Sequence, residues 1–528
     1  MKTTSVGAVN LVPDCNEITK RRAARRSGIR SRPRLTVLSA ALASVLATGC
    51  AVAPSPIEKS ERQALLAAER QAMFTQQEVL TGSISLQESM ARALKYNLDY
   101  RVKVMEEALA QEQLDLANFD MLPKLALGAG YSHRNNDAAS SSQDIATGRQ
   151  SLVPSISTER DRVNADLTVS WNVLDFGVSY FTAKQQADKL LILRERKRKV
   201  AHQLMQQTRQ AYWQAVGAQR LEPKIANLLK DAETALGDAR RVEQEKLRTP
   251  LESLTYQRQL LDVINQMTQI RTTLSQAKPR LAAIMNLPPG NTISVAEPPK
   301  LAAPQLRLPV EQMEEMALTN RPELMEARYN ERIGVLETRK AVAKLFPGLE
   351  FNAGRHYDNN KFLVNHNWFD AGLRVSWNLM NLFNAGNIRR TADAQLKVAQ
   401  EQRMALNMAV LMQVHVAWLD YQGRSRQFEL ERDIHGVEQR LLSHSMNAAQ
   451  TSAQGKLQAI LAGANAVLAE LRLYQGYGDL QNAYGQLAAT IGMDALPQEV
   501  GGHDIASLSE ALQGVAEQAD TLLAGGAE

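Results

Sequence analysis

VNADLTVSWN, residues 163–172, alternates without a fault: Val163, Ala165, Leu167, Val169 and Trp171 are apolar, and every residue between them is polar. FDAGLRVSWN, residues 369–378, repeats it, with Phe369, Ala371, Leu373, Val375 and Trp377 against Asp370, Gly372, Arg374, Ser376 and Asn378. Strict period two over ten residues describes a strand with one oily and one wet face. Each is preceded by another such strand behind a proline, 125–131 after Pro123 and 349–357 after Pro347. In the latter, Leu349, Phe351, Ala353 and Tyr357 share a face against Glu350, Asn352 and His356. About ten residues with an oily outside is the length and pattern of a membrane-spanning β-strand, and lipid does not tolerate an open sheet edge. Four strands are too few to close a barrel, because the smallest have about eight. The pattern therefore predicts several chains sharing one barrel; the competing expectation is four strands of a soluble sandwich packed on helices.

The rest of the chain predicts helix. Only 5% of the 528 residues are aromatic, and charges of both signs alternate through most of the length, a profile of long helices rather than of an enzyme core. The net charge of +5 does not indicate nucleic acid. Nine of the 61 basic and two of the 56 acidic residues lie in residues 1–49, so the remainder is nearly neutral.

Residues 1–49 read as a secretory leader: KRRAARR at 20–26, an apolar run at 35–46, then LATGC ending at Cys50. Cys15 falls inside that leader, so a cleaved chain keeps one cysteine and no disulfide can staple it. Residues 50–84 read as a tether with a short helix.

Two copies of one unit follow, 85–287 and 310–494. The amphipathic helical pair from Ser85 runs into the strand at 124–133, and the segment from Val310 runs likewise into 348–357; Asn97 matches Asn320 and Pro123 matches Pro347. From Trp171 the copies stay in one ungapped register, so that Trp171 and Trp377, Gly217 and Gly423, and the Leu-Ala-Ala runs at 281 and 487 all lie 206 apart. The second strands are expected at 162–172 and 369–378. The first hairpin carries about 18 extra residues, in the polar stretch 135–159, which predicts a solvated loop. Beyond each second strand apolar residues recur at three-and-four spacing for some 100 Å of helix at about 1.5 Å per residue, with kinks expected at Pro223 and Pro279.

Each long helix should turn back at a tip, the first at 246–252 and the second at 452–458. Thr249, Pro250 and Glu252 supply an N-cap, a first-turn proline and a capping-box carboxylate. Gly455, Lys456 and Gln458 stand 206 further on as a weaker start. Between the copies, 288–309 is a proline-rich strap, and the tail 495–528, rich in Ala, Gly and Gln, is expected to be loosely held.

Taken together, the duplication, the proline before each strand, the turns WNVLDFG at 171 and WNLMNLFNAG at 377, the run ESLTYQRQLL at 252 and the closing RLAAIMNLP and QLAATIGMD resemble the outer-membrane efflux proteins of the TolC family, lipoprotein branch. The resemblance spans about 85–497. It implies a mainly α protein with a small β part: a homotrimer whose 12-stranded transmembrane barrel continues into a periplasmic α-helical coiled-coil barrel. The hairpin tips would dock on a periplasmic adaptor protein bound to an inner-membrane transporter. LATGC resembles a lipobox with Ala47 where that motif prefers Leu, which would make Cys50 the lipidated first residue, held at the outer-membrane lipid. With the odd strand residues toward lipid, Asp166, Thr168, Glu350, Asn352 and Arg374 would face the lumen. One departure stands out. The second tip, AAQTSAQGKLQAIL from 448, has no acidic residue, whereas Glu243, Glu245 and Glu252 flank the first; no acidic gate is carried over.

Nothing in the sequence suggests an enzyme, a cofactor or a metal. It holds no Walker lysine motif, HExxH, CxxC or GxSxG. His435 and His444 sit nine apart in a helical pattern and read as solvated, and Met404, Met408 and Met412 fall on one helical face, where core packing is expected. The expected function is a passive duct for small molecules, with a type I protein-secretion duct and a lipid-anchored scaffold without a pore as alternatives.

Overall fold

The computed structural model describes residues 55–525 except 76, 152, 248, 450–452, 495, 498–499 and 503. The leader and Cys50 lie outside the described residues. Two compact units divide the chain, 1–72 and 73–528. Helix α1 (Lys59–Phe74) has no buried residue. All that follows concerns the second unit.

There the order is α2 (Leu86–Tyr96), α3 (Leu98–Phe119), β1 (Lys124–His133), a small ribbon β2 (Ala139–Ser140) and β3 (Ser155–Ile156), β4 (Asp161–Asn172), α4 (Val173–Gln244), α5 (Pro250–Leu274) and α6 (Ala277–Ile284). After the strap come α7 (Val310–Asn320), α8 (Pro322–Ala343), β5 (Gly348–Asp358), β6 (Asn367–Ser376), α9 (Met380–Ala449), α10 (Ala453–Thr490) and α11 (Ile505–Leu523). The succession of helix pair, strand pair, long helix and returning helix thus recurs.

β1, β4, β5 and β6 form one antiparallel sheet in that order. Leu127 stands opposite Leu167, Val169 opposite Ala353, and Ala353 opposite Ala371, so odd residues align across all four strands. Leu125, Leu127, Leu167, Phe351, Leu373 and Val375 on that face are exposed. Two charges interrupt it, Asp161 at the loop end of β4 and Arg355 on β5. Arg355, between Leu167 and Phe369, lies near the loop end of β5, where a long side chain can snorkel out of an apolar band. β6 starts and ends two residues ahead of the expected 369–378: Asn378 instead accepts from the Met380 N–H at 3.1 Å, and Trp377 Nε1 donates to the Leu345 carbonyl at 2.9 Å. The polar loop 135–159 is not shapeless, since Ser140 pairs with Ser155 and Asp144 accepts the amides of Ala146 and Thr147 at 2.9 and 2.8 Å, closing a turn.

Asn172 ends β4 and caps α4, accepting from the Leu174 N–H at 2.9 Å. α4 has 72 residues, about 108 Å of helix. It runs unbroken through Pro223; Leu221 and Ile225, fully buried on either side, hold it there. Pro279 has no N–H to offer the Ser275 carbonyl, and the returning helix is interrupted just before it, at Ser275–Gln276 between α5 and α6.

The core lies where α4, α9 and α10 meet. Trp213 and Phe428 both pack on Tyr477, with ring centroids 4.7 and 5.3 Å away. α4 and α10 approach closely because small residues face large ones. A Cβ added to Gly478 would lie 3.1 Å from Trp213 Cβ, and one added to Gly217 would lie 3.2 Å from Tyr474 Cβ. Further along, Lys224 Nζ pairs with the buried Glu470 carboxylate at 2.5 Å.

The end of each returning helix is tied to a helix-pair junction. Asn97, which caps α3 through the Tyr100 N–H at 3.0 Å, also donates to the Ile284 carbonyl at 3.2 Å. In the second copy the cap passes from Asn320 to Arg321 with Pro322 at the first helical position. Here Arg198 makes the tie, donating to the carbonyls of Asn320 (3.0 Å) and Gly492 (2.9 Å) and pairing with Asp494 at 3.2 Å. The strap joins Ile84 to Val295 in a parallel bridge, and Tyr212 Oη donates to the Ala296 carbonyl at 2.5 Å.

The tail differs from its sequence expectation. Residues 505–523 form α11, capped by Asp504, with Ile505, Leu512 and Leu523 buried. Its apolar positions recur at helical spacing despite the small-residue composition, so one face packs: the Leu523 carbonyl accepts the Arg307 N–H at 2.8 Å, and Tyr484 Oη donates to Asp520 at 2.8 Å.

Candidate functional site

The even residues of the sheet build a continuous polar face. Because β4 and β5 pair with Asp166 opposite His356, and β5 and β6 pair with His356 opposite Trp368, one imidazole sits between two strands. His356 Nδ1 is 2.6 Å from Asp166 Oδ1, and its Nε2 is 3.1 Å from Asp370 Oδ1. The ring stacks on Trp368 at 5.3 Å between centroids, and Asn164 donates to Asp166 at 3.1 Å. Nearer the helices, Arg374 lies 3.9 Å from Glu350; at the loop end Arg162 is paired with Asp358. Glycines on this face make room for the polar groups: a Cβ on Gly372 would come within 2.5 Å of Asn352 Oδ1, and one on Gly354 within 2.7 Å of His356 Nε2.

Of the residues expected on this face, Asp166 belongs to the His356 cluster, Glu350 and Arg374 stand opposite each other, and Thr168 and Asn352 lie opposite Gly354 and Gly372. Sequence reading missed His356, Asp370 and Asn164 as a unit. Their even phase was visible, but the register that brings Asp166 to His356 was not.

The other expected set sits at the far end of α4. That helix closes with a Schellman motif, Leu247 N–H to the Val242 carbonyl and Lys246 N–H to the Glu243 carbonyl, both 3.1 Å, with Lys246 in the left-handed region at φ 57°. Thr249 then caps α5, its hydroxyl accepting the Glu252 N–H at 3.4 Å, with Pro250 in the first turn. Glu243 is engaged by Gln257 Nε2 at 2.6 Å, while Leu247 and Leu251 are exposed. At the second tip α10 begins at Ala453, so Gly455, Lys456 and Gln458 stand inside a helix rather than at its start; Gly455 is buried, and Lys456 and Gln458 are exposed. The connection 450–452 lies outside the described residues.

Met404, Met408 and Met412 are exposed on α9 rather than in a core, because no described residue covers that face. Among the described residues no three His, Cys, Asp or Glu side chains are placed to hold a metal ion. No described helix is long and apolar enough to cross a membrane, which says nothing of a β-barrel.

The arrangement of an exposed-apolar four-stranded sheet on two helices of 72 and 70 residues has counterparts among solved structures. The outer membrane channel CmeC of Campylobacter jejuni superposes with a TM-score of 0.61 at 12% identity, over 84% of this chain and 94% of that one. The chain has the TolC-type outer-membrane channel fold. The channel OprN shares that fold at a TM-score of 0.59 and 18% identity, over 77% of this chain and 89% of its own. The open-state channel MtrE of Neisseria gonorrhoeae does so at 0.55 and 15%, over 78% and 94%. No family model matches the sequence, and no curated protein does.

Proposed function

We propose that the chain is the outer-membrane component of a tripartite export complex, a passive trimeric duct carrying small molecules outward. What carries the reading is the sheet. β1 and β6 each have a single neighbour, and an apolar exposed face that belongs in lipid cannot keep open edges there. Three chains contribute twelve strands, β6 of one pairing with β1 of the next, and place the Asp166–His356–Asp370 cluster three times around an aqueous lumen with Thr168, Glu350, Asn352 and Arg374. The two units, 85–287 and 310–494, are an internal duplication; long helices from three chains continue the barrel into the periplasm. Cys50 is lipidated after removal of residues 1–49, 50–84 forms the tether, and 288–309 is the linker. The tips, with Thr249, Pro250 and Glu252 on one hairpin and Gly455, Lys456 and Gln458 near the other, dock on a periplasmic adaptor, and an inner-membrane transporter supplies the energy.

Reconstitution of the purified chain in planar bilayers tests this. Stable, large, ohmic conductance steps are expected. Silence from correctly inserted trimers would replace the duct with the scaffold reading.

A further inference from the structure

α4 leaves β4 and α8 runs up into β5 side by side, and at the foot of the sheet they part to leave a groove of about 560 Å³. Its walls are Gly177 and Phe181 of α4 with Val342 and Ala343 of α8, and Phe346 and Leu349 lead from it onto the sheet. Of the residues that line it only Thr338 and Arg339 are polar, and both lie at the end away from the sheet. Phe346 and Leu349 at the other end are exposed. Leu349 belongs to the odd face of β5, opposite Val375, so the apolar surface of the groove continues that of the sheet. Gly177 keeps the groove open. A Cβ added there would meet nothing within 4 Å, and a glycine inside a helix costs about 1 kcal/mol relative to alanine; no described contact needs the missing side chain, and what its absence leaves is room.

Two cations flank the end away from the sheet. Gln185 of α4 accepts from Lys340 Nζ at 3.0 Å and donates to Glu337 at 2.8 Å, which sets Lys184 and Arg339, the residues beside them in sequence, at one depth on the two helices. Lys340 is itself paired with Glu337 at 2.6 Å. Lys184 Nζ lies over the Tyr180 ring at 4.6 Å, and no described acidic side chain pairs with it or with Arg339. From Val173, at the top of the groove, to Lys184 is about 16 Å of helix at about 1.5 Å per residue. Half of a hydrocarbon core of about 30 Å is about 15 Å.

We infer that this groove holds one acyl chain of an anionic phospholipid from the periplasmic leaflet, with the tail between α4 and α8 and the phosphate between Lys184 and Arg339. The inference rests on the duct reading, which puts the odd face of the sheet in lipid and the helices on the periplasmic side. Its polarity fits that placement: the apolar end meets the lipid face and the cationic end meets water. Charge selects the lipid, because two cations without acidic partners complement a net-negative head and favour a zwitterionic one less. The groove lies under β4 and β5, the two inner strands, and so is complete within one subunit.

The purified full chain in bilayers of phosphatidylcholine with a minority of phosphatidylglycerol tests it, read by mass spectrometry of the lipid that stays with the released protein. Phosphatidylglycerol should be enriched several-fold over its share of the bilayer. Lys184→Gln with Arg339→Gln should bring it back to that share while lipid is still retained; both residues are exposed, so this variant leaves the fold intact. Gly177→Leu, which fills the groove, should lower retention of both lipids. No enrichment in the unmodified sequence, or enrichment unchanged in both variants while they conduct normally, overturns the lipid site and leaves the duct standing. Enrichment that appears only in a Cys50→Ala chain gives the groove to the protein's own acyl anchor and overturns the phospholipid. A chain that never inserts overturns both.

Discussion

His356 bridges Asp166 and Asp370, 2.6 and 3.1 Å away, so a single ring ties β4, β5 and β6 together across the polar face. On the proposed barrel, removing it leaves two carboxylates facing the lumen without their shared partner. His356→Ala should therefore make the pore more cation-selective, moving the reversal potential in a KCl gradient toward that of potassium; an unchanged reversal potential would take Asp166 and Asp370 out of the conduction path.

The odd and even strand residues should tolerate charge very differently. On the proposed barrel, Leu167→Lys or Val375→Lys places an ammonium on the lipid face, at a cost that reaches about 2–4 kcal/mol at the midplane and falls toward the interfaces, whereas Thr168→Lys, one residue along β4, points into water. Recovery of folded oligomer from outer membranes should fall several-fold for the first two and stay near normal for the third. Equal recovery would reverse or remove the assigned facing.

Gly492 holds φ at 79°, and a Cβ there would approach the Asn320 carbonyl carbon and Arg321 nitrogen to 2.8 and 2.9 Å. The left-handed conformation alone costs an L-residue about 1–2 kcal/mol, and the backbone contact adds to it. Gly492→Ala should lower the melting temperature clearly. By contrast, Lys246→Gly, which relieves the same conformation at an open tip, should be neutral or slightly stabilising.

The tip depends on its cap. Thr249→Ala removes the acceptor for the Glu252 N–H and should cost about 1 kcal/mol of local helix stability, read as faster hydrogen exchange in the first turn of α5. Adaptor affinity should fall while oligomer yield is kept; unchanged affinity would argue that the tip is not where the adaptor binds.

Burial pushes the Asp494 carboxyl up, but the nearby His202 ring, 3.8 Å away, and the charge of Arg198, 3.2 Å away, outweigh it and hold it below the ordinary carboxylate value. Stability from a depressed carboxylate is present above its unfolded pKa of about 3.9 and is lost as pH falls through the lower folded value. The chain should melt above Asp494→Asn at pH 6, and the gap should close on titration below pH 4.

Much of this architecture could be read in the chain because two signals are local. Period-two alternation at 163–172 lies within β4, and an asparagine at the foot of the strand marks where α4 starts. Other features depend on distant partners. The bridge at His356 needs a register set by the whole sheet, and α11 takes its apolar face from only a few residues scattered through small ones. Pro223 reads as a kink, and the helix continues through it with Leu221 and Ile225 buried on either side. Met404, Met408 and Met412 have the spacing of a core stripe, yet all three are exposed on α9 among the described residues, and a sequence does not say which molecule supplies the cover.

The two open edges of the sheet also have a genetic consequence. On the proposed assembly each subunit holds both of its neighbours, so a variant that still folds but spoils β1 or β6 does harm beyond its own copy. In a cell making equal amounts of normal and damaged chain, random mixing leaves about one ring in eight wholly normal, and such alleles should be dominant over a functional gene.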